Sequence, residues 1–169
     1  MKYMPILLKG FTLMELIVAV SVVSILLVIG IPSYQMLFAS NSLKGGASSL
    51  YSMLNLSKTE SIKRNNTIFL KITTGENWCV GSNEGDAVCD CNTKESCITS
   101  VSHNRYKNLT LVSDYSAPFY DRIGNRFNEP SKSFTLKSLV GNEEVHLNVN
   151  MLGLVRMCGV NGVLGLNKC

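Results

Sequence analysis

The sequence has few of the side chains on which catalysis and metal binding usually depend. It contains only two histidines, His103 and His146, and their separation does not match the spacing of metal ligands. It also lacks a phosphate-binding glycine loop and the nucleophile turn of serine hydrolases. Asp114, Asp121 and Glu129 lie in loop-like stretches, where we expect solvated surface positions. The sequence therefore predicts no enzyme, no metal site and no cofactor.

A strong charge bias is absent as well. The chain has 16 basic and 12 acidic residues and a formal net charge of +4. Two of the basic residues, Lys2 and Lys9, precede the first long apolar run, so the remainder of the chain is only weakly basic, at +2. Charge alone therefore does not predict binding to nucleic acid.

No cysteine occurs before residue 79, whereas the rest of the chain contains six: Cys79, Cys89, Cys91, Cys97, Cys158 and Cys169. An even number confined to one part of the chain predicts disulfides in an oxidising compartment such as a periplasm. Fifteen pairings are possible. We favour Cys158–Cys169, which would tie the C-terminal tail to the body, and expect the four central cysteines to pair around a loop. A metal site formed by these four is the alternative, although zinc ligands usually have other spacings.

Charged residues are nearly absent from residues 11–31, where Glu15 is the single exception. As a helix this run would be about 30 Å long, which is enough to span a bilayer. Lys2 and Lys9 precede it without any acidic residue, so we expect that end to stay cytoplasmic. A carboxylate costs about 2.5–3.5 kcal/mol at the centre of a bilayer and less near its surface. We therefore expect Glu15 to have a charged partner or a specific function.

The segment Lys9-Gly10-Phe11-Thr12-Leu13-Met14-Glu15, with Pro32 further on, resembles the class III leader of type IV pilins and type II secretion pseudopilins. The resemblance implies that a prepilin peptidase cuts after Gly10 and methylates the new N-terminus at Phe11. It implies that Glu15 acts in assembly by meeting the amine of Phe11 on a neighbouring subunit. The resemblance also implies that Pro32 acts in assembly. A proline at this point should kink or loosen the helix. Leader, anchor and head would then be residues 1–10, 11–33 and 34–169.

The next residues predict an amphipathic helix over residues 34–64, continuous with the apolar run. Leu43, Ala47, Leu50 and Leu54 share one helical face, which Ile62 would extend. Gly45-Gly46 weakens this helix, by about 1 kcal/mol per glycine relative to alanine. Asn65-Asn66 is the predicted end.

Beyond this point the pattern predicts β-structure. Ile68, Leu70 and Ile72 alternate with Thr67, Phe69 and Lys71, as in a half-buried strand. Gly141-Asn142 predicts a hairpin, and residues 81–100 and 159–169 predict loops. The predicted strands are 67–73, 78–80, 109–112, 133–139, 145–149 and 154–157. The fold class is therefore α+β and pilin-like, with a long N-terminal helix packed on an antiparallel β-sheet head.

Within the pilin superfamily, the head resembles the GspH/FimT/FimU group. The shared features are residues 57–65 at the end of the helix, Trp78, and a late Gly-x-x-Arg-x-Cys from Gly153 to Cys158. FimT-type DNA receptors have Gly-Arg-x-Arg at the late motif, whereas here Leu154 replaces the first Arg and only Arg156 matches.

The resemblance implies two alternative functions. The first is a minor pilin or pseudopilin in the bacterial inner membrane, with its head in the periplasm, that primes or joins a type IV pilus or a type II secretion pseudopilus. Its partners would be the other minor and major pilins or pseudopilins, the prepilin peptidase and the membrane. The alternative is a filament-borne DNA receptor, for which Arg105, Lys107, Arg156 and Lys168 are candidate phosphate contacts.

Overall fold

The computed structural model describes residues 10–85, 89–90, 96–122, 126–163 and 165–169, with only the backbone described at residues 29–33. The predicted leader, residues 1–10, lies outside these ranges except for Gly10, and so does Cys91. The chain divides into two compact units, Met1–Gln35 and Met36–Cys169. We call the second unit the head.

A single helix, α1, covers Leu13–Arg64, close to the predicted span of 11–64. It ends where the sequence predicts, because Asn65 adopts a positive φ of 50° that helical residues do not have. Lys63 and Arg64 occupy the last turn, where positive charge suits the helix dipole. The Glu60 carboxylate accepts a hydrogen bond from Arg64 Nε at 2.7 Å, which lowers the pKa of Glu60.

The described strands form two antiparallel sheets in the head. In chain order the strands are β1 (Ile68–Thr73), β2 (Cys79–Glu84), β3 (Thr99–Ser102), β4 (Leu109–Ser113), β5 (Phe119–Tyr120), β6 (Ser133–Ser138), β7 (Glu144–Val149) and β8 (Val155–Val160). One sheet has the order β3-β2-β1-β5 and the other the order β4-β6-β7-β8. The predicted α+β class with an antiparallel head is thereby confirmed.

The buried face of α1 is the one that the sequence predicts, except at its end. Leu43, Leu50 and Leu54 are fully buried in the core of the head, whereas Ile62 is 52% exposed. The extension of the face through Ile62 is therefore wrong. Ser61 lies seven residues after Leu54, within about 20° of the same face, and is the residue that is buried.

Several strand boundaries differ from the prediction. The loop expected from residue 81 onwards begins later, because β2 continues to Glu84 and pairs Ser82 with Leu70. β3 and β5 were not predicted, since one is four residues of Ser, Thr and Val and the other has only two residues. We expected residues 159–169 to form a loop, but β8 includes Gly159 and Val160. Gly159 also forms a β-bridge with Lys168, which fixes the tail against β8.

The glycine pair in α1 allows a close approach between the helix and the β3–β4 connection. A Cβ on Gly46 would lie 2.9 Å from Leu109 Cδ1 and 3.4 Å from the Tyr106 ring. A Cβ on Gly45 would lie 3.3 Å from the other edge of that ring. The packing of Tyr106 and Leu109 therefore offsets the low helix propensity of the two glycines.

Candidate functional site

The N-terminus of α1 is capped by Thr12. Its Oγ1 accepts a hydrogen bond from the backbone N–H of Glu15 at 3.2 Å, and the Thr12 carbonyl accepts one from the N–H of Leu16. Thr-x-x-Glu at a helix start is the capping-box pattern, and the Glu15 charge suits the positive end of the helix dipole. The Thr-x-x-Glu spacing is the signal in the sequence that indicates this cap, and it overlaps the processing motif.

Gly10 occupies a position where the fold does not require a glycine. A Cβ added to it would meet no atom of the described residues within 4 Å, and its φ is not in the positive range that favours glycine. Phe11, the residue after it, is 72% exposed. No contact among the described residues therefore explains the glycine.

The described side chains of the apolar run are exposed along its whole length. Its two described serines satisfy their hydroxyls within the helix, because Ser21 Oγ donates to the Val18 carbonyl and Ser24 Oγ donates to the Val20 carbonyl. This arrangement suits an apolar environment, where an unpaired hydroxyl is costly. Pro32 lies within the helix, at a residue whose side chain is not described.

Among the residues whose side chains are described, no helical stretch combines the length and the hydropathy that crossing a membrane requires.

Two described disulfides fasten the head. Cys158 is joined to Cys169, the pairing that we favoured from the sequence, with 5.0 Å between their Cα atoms. Cys89 is joined to Cys97 in the central loop. Cys79 is also disulfide-bonded. These cysteines are therefore engaged in covalent cross-links and not in the alternative metal site.

A polar cluster holds the segment between β4 and β6. Glu129 accepts hydrogen bonds from the backbone N–H groups of Ser116 and Ala117 at 3.0 and 2.7 Å, and from Lys132 Nζ at 2.6 Å. Burial raises the pKa of Glu129, but these hydrogen bonds outweigh it and lower the pKa overall. The expected solvated position for Glu129 is therefore wrong: its side chain is only 14% exposed.

Tyr115 joins the same segment to β7. Its hydroxyl donates to the Lys132 carbonyl at 2.7 Å and accepts the Val149 N–H at 3.3 Å. Burial raises the pKa of Tyr115 to about 12, so the phenol remains neutral and able to donate. Neither this role nor that of Glu129 had a signal in the sequence, because the partners are distant along the chain.

The two histidines take no part in a catalytic cluster within the described residues. His146 Nδ1 lies 3.3 Å from Thr135 Oγ1, and its Nε2 lies 3.7 Å from a Glu144 carboxylate oxygen. His103 uses its backbone to continue the pairing beyond β3, since its N–H donates to the Trp78 carbonyl. In the described part of the chain, no three His, Cys, Asp or Glu side chains are placed to hold a metal ion.

The four candidate DNA contacts lie in two places: Arg105 and Lys107 are in the β3–β4 connection, and Arg156 and Lys168 are at the β8 edge, where Lys168 pairs with Gly159. Lys107 precedes β4, whereas Arg156 lies in β8 at the opposite edge of the same sheet. Three strand spacings, about 14 Å, separate these edges. Arg105 lines a cavity of about 710 Å³ beside α1, Arg156 lines a different one, and Lys168 lies in the tail. The DNA-receptor alternative gains no support from this placement.

Comparison with known protein families shows which family this chain belongs to. The family described as type II transport protein GspH matches residues 46–153, well over half of the chain. The chain belongs to the GspH family. A second description, the prokaryotic N-terminal methylation motif, matches residues 9–31 of this GspH-family chain. These two matches confirm both resemblances found in the sequence, that of the N-terminal segment and that of the head.

Solved structures agree with this assignment at the level of the fold. The type IV minor pilin FimU of Pseudomonas aeruginosa matches with a TM-score of 0.52 at 14% identity, over 69% of this chain and 88% of that one. The minor pseudopilin EpsH from the type 2 secretion system of Vibrio cholerae matches with a TM-score of 0.52 at 13% identity, over 69% and 95%. Among curated proteins, none matches the chain.

The GspH-family chain is therefore a minor pilin or pseudopilin. Its family and its structural neighbours are pilin subunits and not enzymes. The methylation motif and the family indicate a membrane-anchored subunit of a pilus or pseudopilus.

Proposed function

We propose that this subunit is made as a precursor, anchored in the bacterial inner membrane by residues 11–33 with its N-terminus cytoplasmic and its head periplasmic. A prepilin peptidase then cleaves it between Gly10 and Phe11 and methylates Phe11. The processed subunit primes or joins a type IV pilus or a type II secretion pseudopilus, together with other minor and major pilins or pseudopilins. Glu15 and Pro32 act in that assembly.

The observation that carries this proposal is the methylation motif over residues 9–31 joined to a GspH head over residues 46–153. Gly10 adds a structural argument. Since its surroundings would accept a side chain, the fold does not explain the glycine. A peptidase that must bring the backbone into its active site does explain it, because glycine allows close approach of the backbone.

The role of Glu15 follows from the apolar character of the segment around it. A carboxylate cannot remain charged and unpaired among packed apolar helices, so it must meet a cation or become protonated. The amine released at Phe11 of a neighbouring subunit supplies such a cation. This pairing would fix the register between subunits, because an unpaired buried charge is strongly penalised.

Mass spectrometry of the protein from its own host tests the processing step. We expect an N-terminal peptide that begins at Phe11 and carries a methyl group. The Gly10→Leu variant should keep an intact Met1 terminus. The wild-type protein should also keep it in cells whose prepilin peptidase is inactive. An intact Met1 terminus in cells with active peptidase would overturn the proposal.

A further inference from the structure

The head carries a patch of exposed apolar side chains where two of its elements meet. We call it the apolar pole and define it as Met36, Leu37 and Phe38 of α1 together with Leu139 and Val140 of the β6–β7 hairpin. All five residues are at least half exposed. The helix and the hairpin meet there, because Met36 and Val140 line the same small cavity of about 50 Å³.

The exposure of Leu139 and Val140 is a property of the fold. The Leu139 N–H donates to the Asn108 carbonyl at 2.9 Å, and the Val140 N–H donates to Ser138 Oγ at 3.3 Å. On the other side of the turn, Asn161 Nδ2 donates to the Asn142 carbonyl at 2.6 Å. The hairpin is thus held in place with two apolar side chains pointing outwards. Single exposed apolar residues are ordinary, but exposed apolar residues from two elements that meet at one cavity, as Met36 and Val140 do, usually have a partner.

The length of the connecting chain limits what that partner is. Met36 follows the last residue of the apolar run, Ile31, by five residues. Five residues span about 7.5 Å as a helix and about 17 Å when fully extended. The headgroup layer of a bilayer is about 5–8 Å thick on each side. If residues 11–31 occupy the hydrocarbon, Met36 must therefore lie in or close to the headgroup layer.

The composition of the pole suits that layer. Tyr34, two residues before Met36, is exposed, and tyrosine side chains concentrate at the membrane interface. Lys107 is exposed and precedes Asn108, whose carbonyl holds Leu139. Lys44 is exposed about two turns beyond Met36 on the same helix. Lysines near an apolar patch favour anionic lipid headgroups, although Glu143 in the same hairpin opposes this attraction.

We infer that the apolar pole rests on the periplasmic surface of the inner membrane before the subunit is extracted, with Leu139 and Val140 inserted among the lipid headgroups. This inference rests on the proposed function, because it requires the membrane anchor. It adds a second contact with the bilayer, made by a part of the head that is far away in the sequence. Extraction of the subunit then breaks the contact of the head with lipid as well as withdrawing the anchor.

Leu139 and Leu152 provide a matched pair for the test. Both are leucines beside hairpin turns, 52% and 60% exposed. The Leu152 carbonyl accepts a hydrogen bond from Lys58 Nζ. Lys58 lies 22 residues along α1 from Met36, a distance of about 33 Å within the helix. Leu152 therefore reports on a part of the head that is remote from the apolar pole.

The full-length variants Leu139→Trp and Leu152→Trp are reconstituted into vesicles of phosphatidylethanolamine and phosphatidylglycerol, with or without brominated acyl chains. The native Trp78 is fully buried and gives the same background in both. We expect brominated lipid to quench the fluorescence of the Leu139→Trp variant several-fold more than that of the Leu152→Trp variant. Equal quenching in two variants that both float with the vesicles would overturn this inference and leave the anchor intact. Failure of both to float would overturn the anchor itself.

A cross-linking experiment in cells distinguishes lipid from protein at this surface. The photoreactive residue benzoylphenylalanine is placed at Leu139 in the full-length protein. A lipid adduct before filament assembly agrees with the inference. An adduct with the mass of a second subunit and no lipid adduct assigns the apolar pole to a neighbouring pilin and overturns it.

Discussion

The Thr12 hydroxyl accepts a hydrogen bond from the backbone N–H of Glu15. The main-chain N–H of Glu15 makes this bond, and the Glu15 carboxylate takes no part in it. The two roles of this residue can therefore be separated by mutation: the helix cap depends on Thr12, and the proposed pairing with a neighbouring subunit depends on the Glu15 side chain.

Replacement of the carboxylate in Glu15→Leu should impair assembly without affecting the folding of the head. We expect membrane insertion, cleavage and the thermal unfolding of the head to remain unchanged, and co-purification with partner pilins to fall. Glu15→Asp should be partly impaired, because its shorter side chain shifts the pairing geometry. Thr12→Ala is the control, since it removes the cap, at a cost of about 0.5–2 kcal/mol to the helix end, but keeps the charge. Wild-type recovery of partners with Glu15→Leu would refute the pairing.

Gly46 should tolerate larger residues poorly. Its missing Cβ would lie 2.9 Å from Leu109, which is itself buried. Gly46→Leu should lower the free energy of unfolding by about 1–3 kcal/mol, the usual cost of overpacking a core. Chemical denaturation followed by the fluorescence of the buried Trp78 measures this loss. Gly141→Ala, where a Cβ meets no atom within 4 Å in the described part of the chain, should change stability by less than about 0.5 kcal/mol.

The Cys158–Cys169 disulfide should stabilise the head. The residues are 11 apart in the sequence, and closing a short loop of this kind contributes about 2–4 kcal/mol. The double substitution Cys158→Ser with Cys169→Ser should lower stability by that amount. It should leave β8 formed, because the backbone of Gly159 still bonds to Asn167 and Cys169. Peptide mapping without reductant checks the pairing, and free thiols at both positions in the native protein would contradict it.

Glu129 should make the stability of the head depend on pH in the acidic range. Burial, the largest single influence, raises the pKa of this carboxylate, but the hydrogen bonds from Lys132, Ser116 and Ala117 together lower the pKa from 4.5 in the folded chain. A lowered pKa stabilises the fold above the unfolded value, and this contribution is lost as the pH falls through the folded value. Stability should therefore decline below about pH 4.5.

The matched variant for this prediction is Glu129→Gln. It keeps the size of the side chain and one carbonyl oxygen but loses the charge, so it should cost about 1–3 kcal/mol at pH 7. It should also reduce the acid dependence of the unfolding midpoint. If the variant and the wild type show the same change in midpoint between pH 7 and about pH 3, Glu129 does not carry the effect.

Local patterns in the sequence predicted those parts of the fold that depend on near neighbours. The spacing of Leu43, Leu50 and Leu54 predicted the buried face of α1, and the alternation of Ile68 with Leu70 predicted β1. Both depend on the repeat of one element, which a sequence displays directly. β5 could not be predicted in this way, because its two residues form a strand only by pairing with Ile68 and Phe69.

The sequence by itself determined the family, the processing motif at Gly10 and Phe11, and the long helix, since each is written in consecutive or periodically spaced residues. The tertiary structure alone decided the tasks of residues whose partners are far along the chain. It explained Gly46 through the approach of Leu109, placed Glu129 against two backbone N–H groups, and brought Val140 beside Met36. Such contacts join segments by packing and hydrogen bonding, and no spacing within one segment encodes them.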